Sequence, residues 1–143
     1  MAEESLQAKS NPVGDFYGHW GMAMACIGLH EFDLDQKAVC EALAIEITSR
    51  STLGLDLFPC AAILLNKDGL TARAVEVLSL SINEPLAVQG WKQKWRVITE
   101  LKASSKEALG EDIYLAAWES GKTLDLQTVV GELSEQFGDE NVA

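Results

Sequence analysis

The chain has 143 residues, 11 Lys+Arg against 22 Asp+Glu, a formal net charge of -11 and 48% hydrophobic residues. That length fits one domain, and that apolar share excludes a chain too polar to bury a core. The acidic balance argues against a binder of nucleic acid or anionic membrane, because phosphate contacts need a positive surface.

Residues 1–11 are polar and read as a flexible N-terminus. Met1-Ala2-Glu3-Glu4-Ser5 is acidic with no apolar run behind it, whereas a secretory signal needs a basic start and an apolar stretch of about 7–15 residues. Pro12 and Gly14 precede a first helix that Asp15 can cap, and Phe16, Trp20, Ala23 and Ile27 recur as one helical stripe. Even Gly21 to Leu29, the most apolar stretch, is far shorter than the ~20 residues that span a bilayer. The expected location is cytoplasmic, with no membrane contact.

Gly28, His30 and Glu31-Phe32-Asp33 mark a turn. A second helix, roughly Leu34 to Ser49, carries Ala38, Ala42 and Ile45 on one face. Ser51 or Thr52 can cap the next start. The third helix holds Leu53, Leu57, Cys60, Ala61 and Leu64, and Pro59 inside it implies a kink or a helix that begins near Leu57. Asn66-Lys67-Asp68-Gly69 is a stop, with Gly69 suited to a left-handed cap.

The fourth helix, Thr71 to about Ile82, has Ala74, Val75, Leu78 and Ser81 as its spine. Pro85 is placed to open a fifth helix, which carries Trp91, Trp95, Ile98 and Leu101 on one side. Ser104-x-x-Glu107 fits a capping box or a polar stretch late in a long helix. A sixth helix starts about Glu111, with Ile113, Ala117 and Trp118 inward and Gly121 as its stop. A seventh starts at Asp125 with Leu126, Val130, Leu133 and Phe137 on one stripe, and Gly138 ends it. The fold class is therefore all α, six to seven helices in tandem antiparallel hairpins. The helical domain spans 12–137 and a flexible tail spans 138–143.

The first two helix pairs repeat. The turn at Leu29 to Asp33 precedes a helix with Val39 and Ala42, and the turn at Lys67 to Thr71 precedes one with Leu78 and Ser81, each shifted by 39. A fixed period of that order marks a helical repeat. Met22-Ala23, Phe32, Ala42, Ala74, Ser81 and Pro85 resemble the tetratricopeptide-type pattern of small and aromatic positions. Asp35 stands where the first unit should have Ala, which tilts or widens its hairpin. Gly69-Leu-Thr-Ala-Arg-Ala-Val-Glu-Val-Leu78 is similar to the last repeat of MalT-like helical arms in bacterial STAND and AAA-type ATPase regulators. Ile113-Tyr-Leu-Ala-Ala-Trp118-Glu-Ser-Gly121, followed by Leu124-Asp-Leu126 and Val129-Val130, looks like the cap of those arms. The resemblance covers about residues 16–137. It implies a right-handed superhelix with C-terminal capping helices. No G-x-x-x-x-G-K-[ST] run is present, so the chain resembles only the terminal part of such a regulator.

No nucleophile sits with an identifiable base, and no phosphate-binding loop occurs, so no catalytic residue is assigned. His19 and His30 lie 11 apart with Cys26 between them, without a tetrahedral ligand set. Cys26, Cys40 and Cys60 read as thiols among apolar helical neighbours rather than a disulfide framework. Glu31, Asp33 and Asp35 lack the glycine and later glutamate of an EF-hand and read as favourable charge at a helix start. No metal and no cofactor is expected.

Two candidate surfaces remain. Trp91, Lys92, Lys94, Trp95 and Arg96 interleave aromatic and basic residues, either as a packing stripe with cations on the solvated side or as a partner-binding patch. Phe16, Trp20 and Ile27 have no preceding repeat to pack on and form a candidate exposed apolar end, self-covered or sticky. The expected function is a non-catalytic interaction or regulatory module. The resemblance makes it the C-terminal sensor or scaffold arm of a signalling or transcription-regulating ATPase. The partner is then a protein or an upstream domain, with a homodimer as a further option. The alternative is a domain that senses a small inducer in the superhelix groove.

Overall fold

The structure is a computed structural model that describes residues 11–84 and 90–142. Helix α1 (Pro12–Gly28) starts earlier than expected. Asn11, not Asp15, is its cap, accepting from the Val13 N–H at 3.0 Å. Pro12 fills the first helical position, where a missing N–H leaves nothing unpaired. Asp15 sits inside the first turn, where a negative charge suits the helix dipole.

The chain continues through α2 (Phe32–Ser49), α3 (Gly54–Lys67), α4 (Thr71–Asn83), α5 (Gly90–Lys94), α6 (Arg96–Leu109), α7 (Glu111–Gly121) and α8 (Leu126–Val142). The fold is all α, as the periodicity predicts, and no strand occurs among the described residues. The expected six to seven helices hold once the five-residue α5 is taken with α6, since only Trp95, with ψ at 116°, interrupts them. Ser104 and Glu107 lie late in α6, so the capping-box option falls away. Pro85 and residues 1–10 lie outside the described residues. The helix does not stop at Gly138, because α8 runs on to Val142.

Short turns close α1 on α2 and α3 on α4, so each pair is an antiparallel hairpin. Both turns use one hydrogen-bond scheme. The Glu31 N–H reaches back to the Cys26 carbonyl at 2.8 Å, and the Leu70 N–H reaches Leu65 at 2.9 Å. The left-handed residues also correspond, His30 at φ 59° and Gly69 at φ 87°. Each atom in the second turn lies 39 residues after its counterpart. The predicted shift is thus present in backbone geometry, with His30 taking the left-handed position in the first turn. Histidine tolerates that conformation less well than glycine, but helices commonly close on one such residue.

Helix α3 is central. Every residue from Gly54 to Leu65 except Ile63 is buried, against α1, α2, α4, α6 and α8. Pro59 sits within it, so the helix begins upstream of the Leu57 start that was one alternative. Proline has no N–H for the carbonyl four residues back, which is that of Leu55. The Ser81 hydroxyl on α4 donates to that carbonyl at 2.6 Å.

The C-terminal helices close the molecule. Helix α7 lies on α4, where the Ser79 hydroxyl donates to the Trp118 carbonyl at 2.5 Å. Ala117 faces inward and Trp118 is half-buried, but Ile113 is 58% exposed, contrary to its expected inward position. Gly121 is small because the helices touch there. A Cβ would collide with the Glu76 carbonyl and stand 2.7 Å from the Ser79 Cβ. Helix α8 returns to α2 and α3, burying Val129, Val130, Leu133 and Phe137. The Gln36 amide donates to the Phe137 carbonyl at 3.2 Å, and Gln127 donates to Ser51 at 3.1 Å.

The close approach has a measurable consequence. Gly121→Ala should cost about 2 kcal/mol of unfolding free energy by overpacking. Gly131→Ala, whose Cβ would meet nothing within 4 Å, should gain about 0.5–1 kcal/mol by helix propensity. Urea unfolding followed by circular dichroism checks both, and a neutral Gly121→Ala would contradict the packing described.

Candidate functional site

The two surfaces singled out in the sequence meet. Trp20 of α1 and Trp91 of α5 contact edge-on, with ring centroids 5.4 Å apart. The contact extends in both directions. Phe16 to Tyr17 and Tyr17 to Trp20 are each 5.6 Å, and Trp91 to Trp95 is 5.9 Å. Edge-on aromatic pairs add about 0.5–1.5 kcal/mol beyond their buried area.

The candidate apolar end is therefore not exposed. Phe16 and Ile27 are buried and Trp20 is partly buried. Helix α2 and Trp91 of α5 do what a preceding repeat would do. The face is self-covered, one of the two outcomes the sequence allowed.

The basic residues of the second candidate divide. Lys94 is exposed, and Arg96 pairs with Glu100 at 2.9 Å in the solvent. Lys92 departs from the solvated position expected for it, since its side chain is wholly buried. The reason is backbone chemistry. The Ser81 carbonyl near the end of α4 would look four residues on for a donor, and that residue, Pro85, has no N–H. The Lys92 Nζ donates to it instead, at 2.9 Å.

Asp56 is the second partner, with its carboxylate 3.8 Å from the Lys92 ammonium. It also accepts from the Tyr17 hydroxyl at 3.0 Å, and the Trp20 indole N–H donates to its backbone carbonyl at 2.9 Å. Tyr17, Trp20, Asp56, Ser81 and Lys92 thus form one polar knot joining α1, α3, α4 and α5. Burial pulls the Lys92 ammonium down to about 8, although Asp56 opposes the shift. Burial, then Asp56, pushes the Tyr17 phenol up. A buried ion pair of this kind recovers its desolvation cost only through added hydrogen bonds, and here the Ser81 carbonyl supplies one to Lys92 and the Tyr17 hydroxyl one to Asp56.

From Tyr17, whose hydroxyl enters the knot, to Leu29, α1 turns a face without permanent charge to solvent. Tyr17 is 39% exposed and Met22 57%, while Gly18, Gly21 and Gly28 have open space where a Cβ would stand. An open groove between α1 and α2 is lined by Gly18, His19, Met22, Leu34, Lys37 and Glu41, and His19 pairs with Glu41 across it at 2.9 Å.

His30 is placed elsewhere, against Phe32 with ring centroids 5.9 Å apart. Among the described residues no three His, Cys, Asp or Glu side chains gather as a metal site. Cys26 and Cys60 are buried, and burial pushes both thiols up. No described helix is long and apolar enough to cross a membrane. Sequence reasoning missed the role of Lys92, and two prolines at positions 59 and 85 were the available signal. No family model, curated protein or solved structure matches the chain.

The knot yields two expectations. Ser81→Ala leaves the Leu55 carbonyl buried and unpaired, and should cost about 1–3 kcal/mol in chemical denaturation. For Lys92 the folded state sheds its proton near pH 8 while the unfolded chain keeps it to 10.5. The unfolded state then binds more protons in that window, so this lysine adds stability as pH rises through it. Denaturation from pH 7.5 to 10 should show that gain in the wild type relative to Lys92→Met. Parallel curves would contradict the burial of the ammonium.

Proposed function

We propose that the chain is a non-catalytic protein-interaction module, a tetratricopeptide-like superhelical arm that serves a cytoplasmic signalling or transcription-regulating ATPase. The observation that carries the interaction part is the outward face of α1. Tyr17, Met22 and Leu29 stand exposed there beside glycines, and Leu34 of α2 continues the patch. From Phe16 to Leu29 no side chain carries a permanent charge. A helix face of this kind lets another backbone approach closely, and contiguous exposed apolar surface marks interaction sites. The two hairpins related by a shift of 39 support the repeat reading. The ATPase part rests on the resemblance of residues 69–78 and 113–130 to the arms of such regulators. A protein partner or an upstream domain is the occupant.

Gly21→Lys tests this without disturbing the core, because the Cβ position is open and lysine favours helix over glycine. The variant should keep its thermal midpoint and lose at least 10-fold in capture of a partner from source lysate. A photo-crosslinking residue at Met22 should give a discrete adduct absent when it is placed at Glu107. Equal adducts at the two positions, or unchanged capture by Gly21→Lys, would overturn the reading.

A further inference from the structure

Among the described residues, Asp35 is the buried carboxyl with both oxygens unpartnered, whereas Glu46 leaves one oxygen and Ser105 its hydroxyl without a partner. Asp35 sits on the first turn of α2, fully inaccessible. The internal repeat shows that the carboxyl is not an architectural need. Shifted by 39, the same position on α4 is Ala74, also fully buried. The backbone there is equivalent, with Asp35 N–H bonded to the Glu31 carbonyl and Ala74 N–H to that of Leu70. An ordinary carboxyl in such a slot is expensive, since a buried polar group without a partner gives up its hydration for nothing.

The surroundings decide what it can do. Cys26 of α1 and Cys60 of α3 are the titratable neighbours, and both stay neutral because burial pushes their thiols up. Glu31 in the turn adds negative charge near Cys26. Lys67 at the end of α3 is the cation that acts on Asp35, and no charge from α8, also packed on α2, shifts it. Lys67 makes no ion pair with Asp35. Its Nζ lies 4.0 Å over the Phe32 ring. Burial pushes the Asp35 carboxyl up to about 7, with Lys67 opposing.

We propose that Asp35 is a protonation switch at the junction of α1, α2 and α3: neutral in the closed junction, and on ionising it opens the first turn of α2 toward Lys67. The balance is simple. The carboxyl releases one proton to solvent, and the carboxylate exchanges a dry slot for water and for the ammonium now resting on Phe32. The sign follows from linkage. Between the unfolded value of 3.8 and about 7 the folded state binds more protons, so stability falls as pH rises through that window. The proposal is independent of the docking face.

Three measurements test it on the full chain. Carbon-13 NMR of the wild type should place the Asp35 carboxyl transition above pH 6, and a midpoint below 5 would overturn the proposal. From pH 5 to 8.5 the unfolding equilibrium of the wild type should move about 100-fold further toward unfolding than that of Asp35→Asn. Asp35→Leu serves as the second variant if the asparagine folds poorly, and identical pH slopes would overturn the proposal. Hydrogen exchange at pH 6 and 8, corrected for intrinsic rates, should show protection lost within residues 29–40 in the wild type alone. Loss spread evenly over the chain, or none, would overturn the switch.

Discussion

The carbonyl of Leu55 is the constraint around which this molecule is arranged. Helix α3 lies at the centre and is buried on nearly every side, so water is not on hand to satisfy its backbone. Pro59 nevertheless withholds a donor from the middle of it. The deficit is met from α4 by Ser81, and the end of α4 has a similar deficit that Lys92 meets from α5. Each repair ties a further helix to the centre. What looks like a polar flaw in an apolar core is the reason α1, α3, α4 and α5 have one relative position.

This arrangement also orders the aromatic residues. Asp56 is drawn inward by Lys92, and Tyr17 and Trp20 of α1 reach it through their polar tips. Their rings then lie in line to receive Trp91. Burial of large apolar rings supplies most of the free energy, but the hydrogen bonds select which rings meet.

Much of the fold was legible because its signals are local. Periodicity marked the stripes of α1, α2, α4 and α8, and Gly69 marked a left-handed turn that needs φ at 87°. The shift of 39 was visible in residue types and reappears atom for atom in two turns. Departures occur where tertiary context decides. Asn11 was a better cap than Asp15 because Pro12 follows it. Ile113 shares a stripe with Ala117 and Gly121 yet faces solvent, because α7 meets Glu76 and Ser79 of α4 through Trp118 and Gly121, one to two turns further on. Of the candidate site, the residues were found and their relation was not. Nothing local says that Trp20 and Trp91, separated by three whole helices, share a contact, or that a lysine in a basic run will leave solvent to serve a carbonyl. The rule that could have found it is backbone accounting, applied to each proline in turn.

The return of α8 to α2 bears on synthesis. Gln36 waits for a carbonyl 101 residues later in the chain. A ribosome delivers α1 and α2 long before Val130, Leu133 and Phe137 exist to cover them. For that interval the side of α2 that packs on α8 has no lid, and contacts so distant in sequence form late. The nascent first hairpin is then an apolar surface in search of shelter. Any product that stalls before α8 would keep it, so the synthesis of α8 is the point at which this domain passes from a sticky intermediate to a closed one.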